Sequence, residues 1–200
     1  MPSKESAEAS APQAHACIDL ETLSLRVDCV ILSIGACSWL EGDPIGTFRS
    51  TFEEKVDMNQ EGRRIDPKTV AWWAMQSDAA RRNVFEDVAN GASHPSLSDA
   101  IVLLVNWLET LKAPHVWTND PSFDTAILNH ANGGRPLWRH RRTRCARTAA
   151  DCVSDAEYAA IKRALGTRSH TALDDSKQSG AVVQTYLAKT EVIRAAAQCG

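Results

Sequence analysis

Near its start the chain carries two different apolar patterns in succession. CIDLE, at 17–21, alternates apolar and polar positions, the mark of a strand with two unlike faces. CVILSIGACSW, at 29–39, is instead a continuous apolar run, as in a strand covered on both faces. After the turn signal EGDP, the stretch IGTFRSTFEEKV predicts a third strand, which completes a three-stranded meander.

Beyond residue 65 the period changes. DPKTVAWWAMQSDAARRNVFEDV predicts one or two helices that begin after Asp66 with Pro67 in the first turn. In SLSDAIVLLVNWLETLK, Leu97, Ile101, Leu104, Val105, Leu108 and Leu111 recur at helical spacing behind a Ser cap, giving one core-facing stripe. HVWT reads as a short strand, DPSFDTAILNHANGG as a turn and a helix stopped by Gly133 and Gly134, and RCART as a possible strand. A helix at DAEYAAIKRALG, a loop at TRSHT and a long helix from about Ala172 to Ala188 close the chain. This order predicts one α/β domain over 15–190, with an Ala/Ser/Pro-rich flexible tail at 1–14 and a C-terminal tail at 191–200.

Composition narrows the function classes. The 200 residues suffice for one sizeable core, and 44% hydrophobic with 24% charged residues is ordinary for a globular protein. The net charge of -3 leaves the question of an anionic partner to the placement of the basic residues. Six cysteines without a C-x-x-C pair argue for reduced thiols and against zinc. No apolar run reaches the roughly 18 residues of a membrane span, and the first residues lack the apolar segment of a signal peptide. No membrane partner and a cytoplasmic location are therefore expected.

Three acidic places carry candidate chemistry. Asp19 and Glu21 lie two apart in a strand, so both side chains share one face while Ile18 and Leu20 take the other. Two such carboxylates repel unless a cation sits between them, and hard divalent ions prefer oxygen ligands. Asp124 opens a helix after a strand, where an isolated acid simply complements the helix dipole. His170, Asp174 and Asp175 lie at the start of the last helix, where capping explains an acid equally well.

Taken together, IDLETLS, WTNDPSFDTAIL and HTALDDS resemble, in that order, the three motifs of the DEDDh (DnaQ-like) 3′-5′ exonucleases. ILSIGACSW is similar to the strand after the first motif, and VAWWAMQSDAAR to a WW-x-x-QS segment of a branch with phage exonucleases and bacterial exoribonucleases. The likeness spans roughly residues 17 to 187, and Asp120 and Pro121 stand where that family often has small residues.

The resemblance implies an RNase H-like fold, with a mixed central sheet flanked by helices. It implies that Asp19, Glu21, Asp124 and Asp175 hold two Mg²⁺ or Mn²⁺ ions and that His170 is the general base. The implied reaction is stepwise hydrolysis from the 3′ end of single-stranded RNA or DNA or of short oligonucleotides, releasing nucleoside 5′-monophosphates; a homodimer would fit the same family. The alternative is a nucleic-acid-binding domain of this fold that has lost catalysis. Helix phase separates the two neighbouring acids: Asp175 shares a face with Ala172, Ser179, Val182, Val183 and Tyr186, whereas Asp174 falls with Lys177, Gln178, Ala181 and Thr185.

Candidate substrate contacts are the motif neighbours Leu20, Thr22, Asn119 and Phe123. Trp72 and Trp73 join them as stacking surfaces, although adjacent helical residues cannot both face one way, so one of them belongs to the core. RPLWRHRRTRCAR packs six arginines into residues 135–147, with Arg139, Arg141 and Arg142 as candidate phosphate contacts. A solvated surface with local ion pairs explains that stretch as well.

Overall fold

The computed structural model describes residues 11–89, 93–112, 114–166 and 171–198. The three predicted N-terminal strands are present as β1 (Ala14–Thr22), β2 (Ile31–Leu40) and β3 (Ser50–Lys55), joined as an antiparallel meander. β1 starts inside the segment read as a tail, since Ala14 pairs with Leu40 and the Glu41 N–H donates to the Gln13 carbonyl at 2.9 Å. β4 (His115–Thr118) lies parallel to β1, and β5 (Thr143–Cys145) parallel to β4. The described residues thus form one five-stranded mixed sheet in the order β3-β2-β1-β4-β5, the sheet expected of an RNase H-like fold.

Local chemistry sets the helix starts. Asp66 caps α1 (Pro67–Ala74) by accepting the Lys68 N–H at 2.8 Å, with Pro67 in the first turn, and α2 (Asp78–Ala89) follows after a break. Ser96 caps α3 (Leu97–Thr110), and Ile101, Leu104 and Leu108 of its predicted stripe are buried. α4 (Ala126–Ala131) and α5 (Ala146–Ala150) are short, and α6 (Asp155–Leu165) begins with a reciprocal Ser154–Glu157 capping box.

α7 (Ala172–Gln198) runs past the predicted end at Ala188 and through most of the segment expected to be a C-terminal tail. Its last turns are Ala-rich, with no helix breaker before the final glycine. They are exposed, unlike residues 180–185, all of which are buried. Helix phase does not sort buried from exposed positions in that middle stretch. Ala181 packs with Ile161 of α6, and Thr185 is buried with its hydroxyl donating to the Ala181 carbonyl at 2.9 Å, because α6 covers the side opposite the sheet.

The sheet separates two cores. Ala16, Ile18 and Leu20 of β1 meet Ile101, Leu104 and Leu108 of α3 and Ile127 and Leu128 of α4 on one face. Cys17 of β1 and Cys37 and Trp39 of β2 meet Ala146 and Ala149 of α5 and Val183 of α7 on the other. Strand alternation decides which residues of β1 face which layer, and it places Asp19 and Glu21 on the α7 side. Among the described residues no helix is long and apolar enough to cross a membrane.

Candidate active site

Asp19 pairs with Gly35 across β1 and β2, and the missing side chain there lets α7 reach the sheet. A Cβ at Gly35 would lie 2.1 Å from both the Ala172 carbonyl carbon and the Leu173 nitrogen, a distance no side chain can occupy. The first turn of α7 therefore rests on the backbone beside Asp19. Asp175, three residues on from Ala172, is buried and turned toward β1. Carboxylate oxygens of Asp19, Glu21 and Asp175 all lie within 4.8 Å of one another. This all-oxygen donor set fits Mg²⁺ or Mn²⁺. Asp174 points elsewhere, into a cavity it shares with Glu53 and Lys55 of β3.

Asp124 is not one of these three acids. It sits in a single wide π turn, Pro121–Thr125, that links β4 to α4, and it is only 3% exposed. Burial pushes its carboxyl up to about 7 against the pull of the Asp120 and Asp124 backbone N–H groups; the Asp120 charge pushes the same way and Arg147 opposes it. Its Oδ2 accepts the Asp120 N–H at 3.2 Å. His170 lies outside the described residues.

Next to Glu21 opens a cavity of about 440 Å³. Leu20, Thr22, Trp73 and Phe123 line it together with Leu25 and Trp72, while Lys68 and Asp66 supply its polar edge. The two tryptophans divide as helix geometry requires. Trp73 is 2% exposed, and its indole N–H donates to the Thr22 carbonyl at 3.1 Å, whereas Trp72 is 45% exposed. Leu20, Thr22, Trp72, Trp73 and Phe123 thus come together at one place. Asn119 is exposed, and its carbonyl accepts from the Cys145 thiol at 3.8 Å.

The basic stretch does not join them. Thr143 is level with Val116 of β4 and, through β4, with Ala16 of β1, so Arg142 is level with His15. That lies four residues, roughly 13 Å of strand, from Asp19. Arg139 and Arg141 are exposed at the same far end. Arg144 donates to the carbonyls of Arg141 and Thr143 at 2.7 and 3.0 Å. Only Arg147, beyond the end of β5, reaches the loop of Asp124, through an ion pair with Asp120 at 3.2 Å.

Sequence reading overlooked two features here. Gly35, inside the apolar run, carried a signal as an isolated glycine in a strand, which marks close backbone approach. The Asp120–Arg147 pair had none, because its partners are 27 residues apart.

The family model described as the 3′-5′ exoribonuclease Rv2179c-like domain matches residues 14–187. No curated protein matches the sequence. Among solved structures, the cell-death related nuclease CRN-4 superposes with a TM-score of 0.55 at 11% identity, over 88% of this chain and 64% of its own. A 3′-exonuclease solved in recognition of the 3′ end of a histone mRNA stem-loop gives 0.57 at 13% identity, over 92% of this chain and 67% of that one. S. pombe Pop2p, in a form with Mg²⁺ and Mn²⁺ bound, gives 0.52 at 14% identity, over 87% and 82%. These likenesses establish the RNase H-like fold; the chain spans just under two thirds of CRN-4.

Proposed function

The chain belongs to the Rv2179c-like family of 3′-5′ exoribonuclease domains, and from that premise we propose that it shortens single-stranded RNA, including short oligonucleotides, from the 3′ end. In this reading Asp19, Glu21, Asp124 and Asp175 hold two Mg²⁺ or Mn²⁺ ions, and His170 is the general base. The observation that carries it is the convergence of Asp19, Glu21 and Asp175 within 4.8 Å at the rim of a nucleotide-sized cavity.

Divalent ions bound there would supply Lewis-acid stabilisation of the charge that develops on the scissile phosphate. The chain's own residues do the rest. Glu21 belongs to both the acid group and the cavity wall, so a terminal nucleoside in the cavity has its phosphate beside the acids. Trp72 offers an exposed aromatic face for the base, and Leu20 and Phe123 exclude water beneath it. Trp73 holds the end of β1 through Thr22, which fixes the strand that carries both acids. A neutral imidazole at His170 takes the proton of the attacking water.

Matched RNA and DNA oligonucleotides labelled at the 5′ end, incubated with Mn²⁺ or with chelator, test the proposal. A ladder descending from the 3′ end of RNA, abolished by chelator and slower on DNA, is the expected result. Internal cuts, or equal rates in excess chelator, would overturn it. Replacing Trp72 with Ala should cost about 1–3 kcal/mol of binding to the last nucleotide, the scale of one base stack, and should appear in KM more than in kcat.

A further inference from the structure

The buried Asp124 side chain of the π turn stands on a support of its own. Asp120, between β4 and the turn, touches it at five points. Its carboxylate accepts the Ser122 N–H at 2.9 Å and the Ser122 hydroxyl at 2.6 Å. Its carbonyl accepts the N–H groups of Phe123 and Asp124, both at 2.9 Å, and its own N–H donates to Asp124 Oδ2 at 3.2 Å. The other carboxylate oxygen receives Arg147 Nη1 at 3.2 Å from the first turn of α5. One turn earlier in space, the Cys145 thiol reaches the Asn119 carbonyl, so the end of β5 and the start of α5 close over this loop.

We propose that Asp120 and Arg147 are a positioning pair that holds the π turn in the conformation in which Asp124 binds a divalent ion; this rests on the reading of Asp124 as a metal ligand. A single π turn makes few bonds for the residues it orders and persists where its surroundings hold it. Here the hold comes from Asp120, and Arg147 fixes Asp120 from outside the turn. Global stability is a poor explanation of the ion pair. The side chains of Arg147 and Asp120 are 63% and 33% exposed, and ion pairs so open to water add little to stability. What the pair does control is the direction of the Asp120 N–H, and with it one oxygen of a side chain only 3% exposed. Partners of this kind orient ligating carboxylates, and removing them lowers metal affinity by about 10- to 100-fold.

The test compares the wild-type chain with Asp120→Ala, Asp120→Asn, Arg147→Ala and the double alanine variant. Mn²⁺ binding is read by calorimetry without substrate, unfolding temperature in chelator, and rate against Mn²⁺ concentration. Asp120→Ala should weaken Mn²⁺ binding about 10-fold and raise the Mn²⁺ needed for half-maximal rate equally, with most of the rate recovered at saturating Mn²⁺. Arg147→Ala should shift both about 3-fold, the scale of an exposed ion pair, and Asp120→Asn should match it because Asn keeps both Ser122 bonds. The double variant should be no worse than Asp120→Ala. Unchanged Mn²⁺ binding in Asp120→Ala, with only the unfolding temperature lowered, would overturn the proposal. So would an Arg147→Ala variant that loses oligonucleotide affinity alone, since Arg147 would then be a phosphate contact. Wild-type protein that binds Mn²⁺ calorimetrically but leaves 3′ ends intact would refute the exonuclease reading and not the positioning.

Discussion

The two ends of β1 and β4 are built from similar ingredients and treat charge in opposite ways. At the far end His15 is 2% exposed, stacked on Trp39 at 5.3 Å, and accepts the Trp117 indole N–H at Nδ1. Burial, then the neighbouring His115 and Arg144, push its pKa down to about 4, so the ring stays neutral. Arg144 turns its guanidinium onto backbone carbonyls and His115. At the other end Asp19, Glu21 and Asp175 converge, and Asp124 is buried in the turn that follows β4. One end disposes of charge by sequestering it; the other brings three carboxylates within 4.8 Å of one another, a donor set that suits a divalent cation. The acidic group therefore lies toward the carboxyl end of β1, away from His15.

The sharpest test of that division is Asp175 against its neighbour. Asp175→Asn and Asp19→Asn should each lower hydrolysis by at least about 10²-fold at fixed Mg²⁺, the scale of removing one electrostatic stabiliser of the transition state. Asp174→Asn should keep most of the rate, because Asp174 lines a different cavity with Glu53 and Lys55. Side-by-side turnover at saturating Mg²⁺ checks this, and the reverse ranking would move the site away from the Asp19 face.

Two glycines make a second comparison, one at each part of the same contact. Gly35→Ala sets a Cβ 2.1 Å from the backbone of α7 beside the acids, whereas at Gly180 it would meet the Cys37 sulfur at 2.9 Å and the Phe48 ring at 3.0 Å. Side chains give way more easily than backbone, so Gly180→Ala should cost about 1–3 kcal/mol of stability in urea and leave the folded protein active. Gly35→Ala should cost at least the upper end of that range and lower the rate of the remaining folded protein about 10-fold or more, since Asp175 moves with the first turn. Equal rates for the two variants would mean that the approach of α7 does not set the site.

These glycines mark the boundary of what is legible in the residues. Strand parity alone brings Asp19 and Glu21 to one face, and the adjacency of Trp72 and Trp73 requires that one be core. Periodicity finds the α3 stripe and the meander because those signals are local. The sheet order, which sends Arg139, Arg141 and Arg142 to the far end, is a long-range outcome that no local pattern encodes. The extra turns of α7 escape for a different reason: residues 191–197 are all exposed, so propensity rather than an amphipathic stripe forms the helix there. His170 is legible only through its motif and awaits a direct test: His170→Ala should lower the maximal rate by roughly 10² to 10⁴-fold with Mn²⁺ binding little altered.

The two ends should also titrate with opposite signs. His15 is held down to about 4 in the folded chain, against an ordinary value of 6.5, so the unfolded chain takes up a proton first and stability falls as pH drops from 6.5 toward 4. Asp124 is held up at about 7 against an ordinary 3.8, so the folded chain keeps its proton longer and stability falls as pH rises from about 4 to 7. In chelator the two slopes oppose each other across one window. Removing either group uncovers the other: His15→Phe should leave a protein that loses unfolding temperature as pH rises, and Asp124→Asn one that gains it. Mn²⁺ should flatten the first of these slopes and leave the second. Slopes of the same sign in both variants would break the contrast between the ends.

The smallest effect is expected where the composition is most basic. With Arg142 level with His15, roughly 13 Å of strand separates the basic stretch from Asp19, and the sheet edge at β5 adds two interstrand spacings of about 4.8 Å. Arg142 itself is half-buried and lines a cavity with Trp138 and Leu108. A trinucleotide whose last residue fills the cavity beside Glu21 does not span that distance to Arg139, Arg141 or Arg142. Replacing all three with Ala should therefore leave turnover of a labelled trinucleotide within about 2-fold and its salt dependence unchanged, because every arginine removed from a phosphate of a single strand would lower the log–log slope by about 0.7. A flatter slope on the trinucleotide would place those arginines at the acids and erase the distinction between the two ends, whereas a flatter slope on a 20-mer alone would extend the substrate track around β5 and leave the distinction intact.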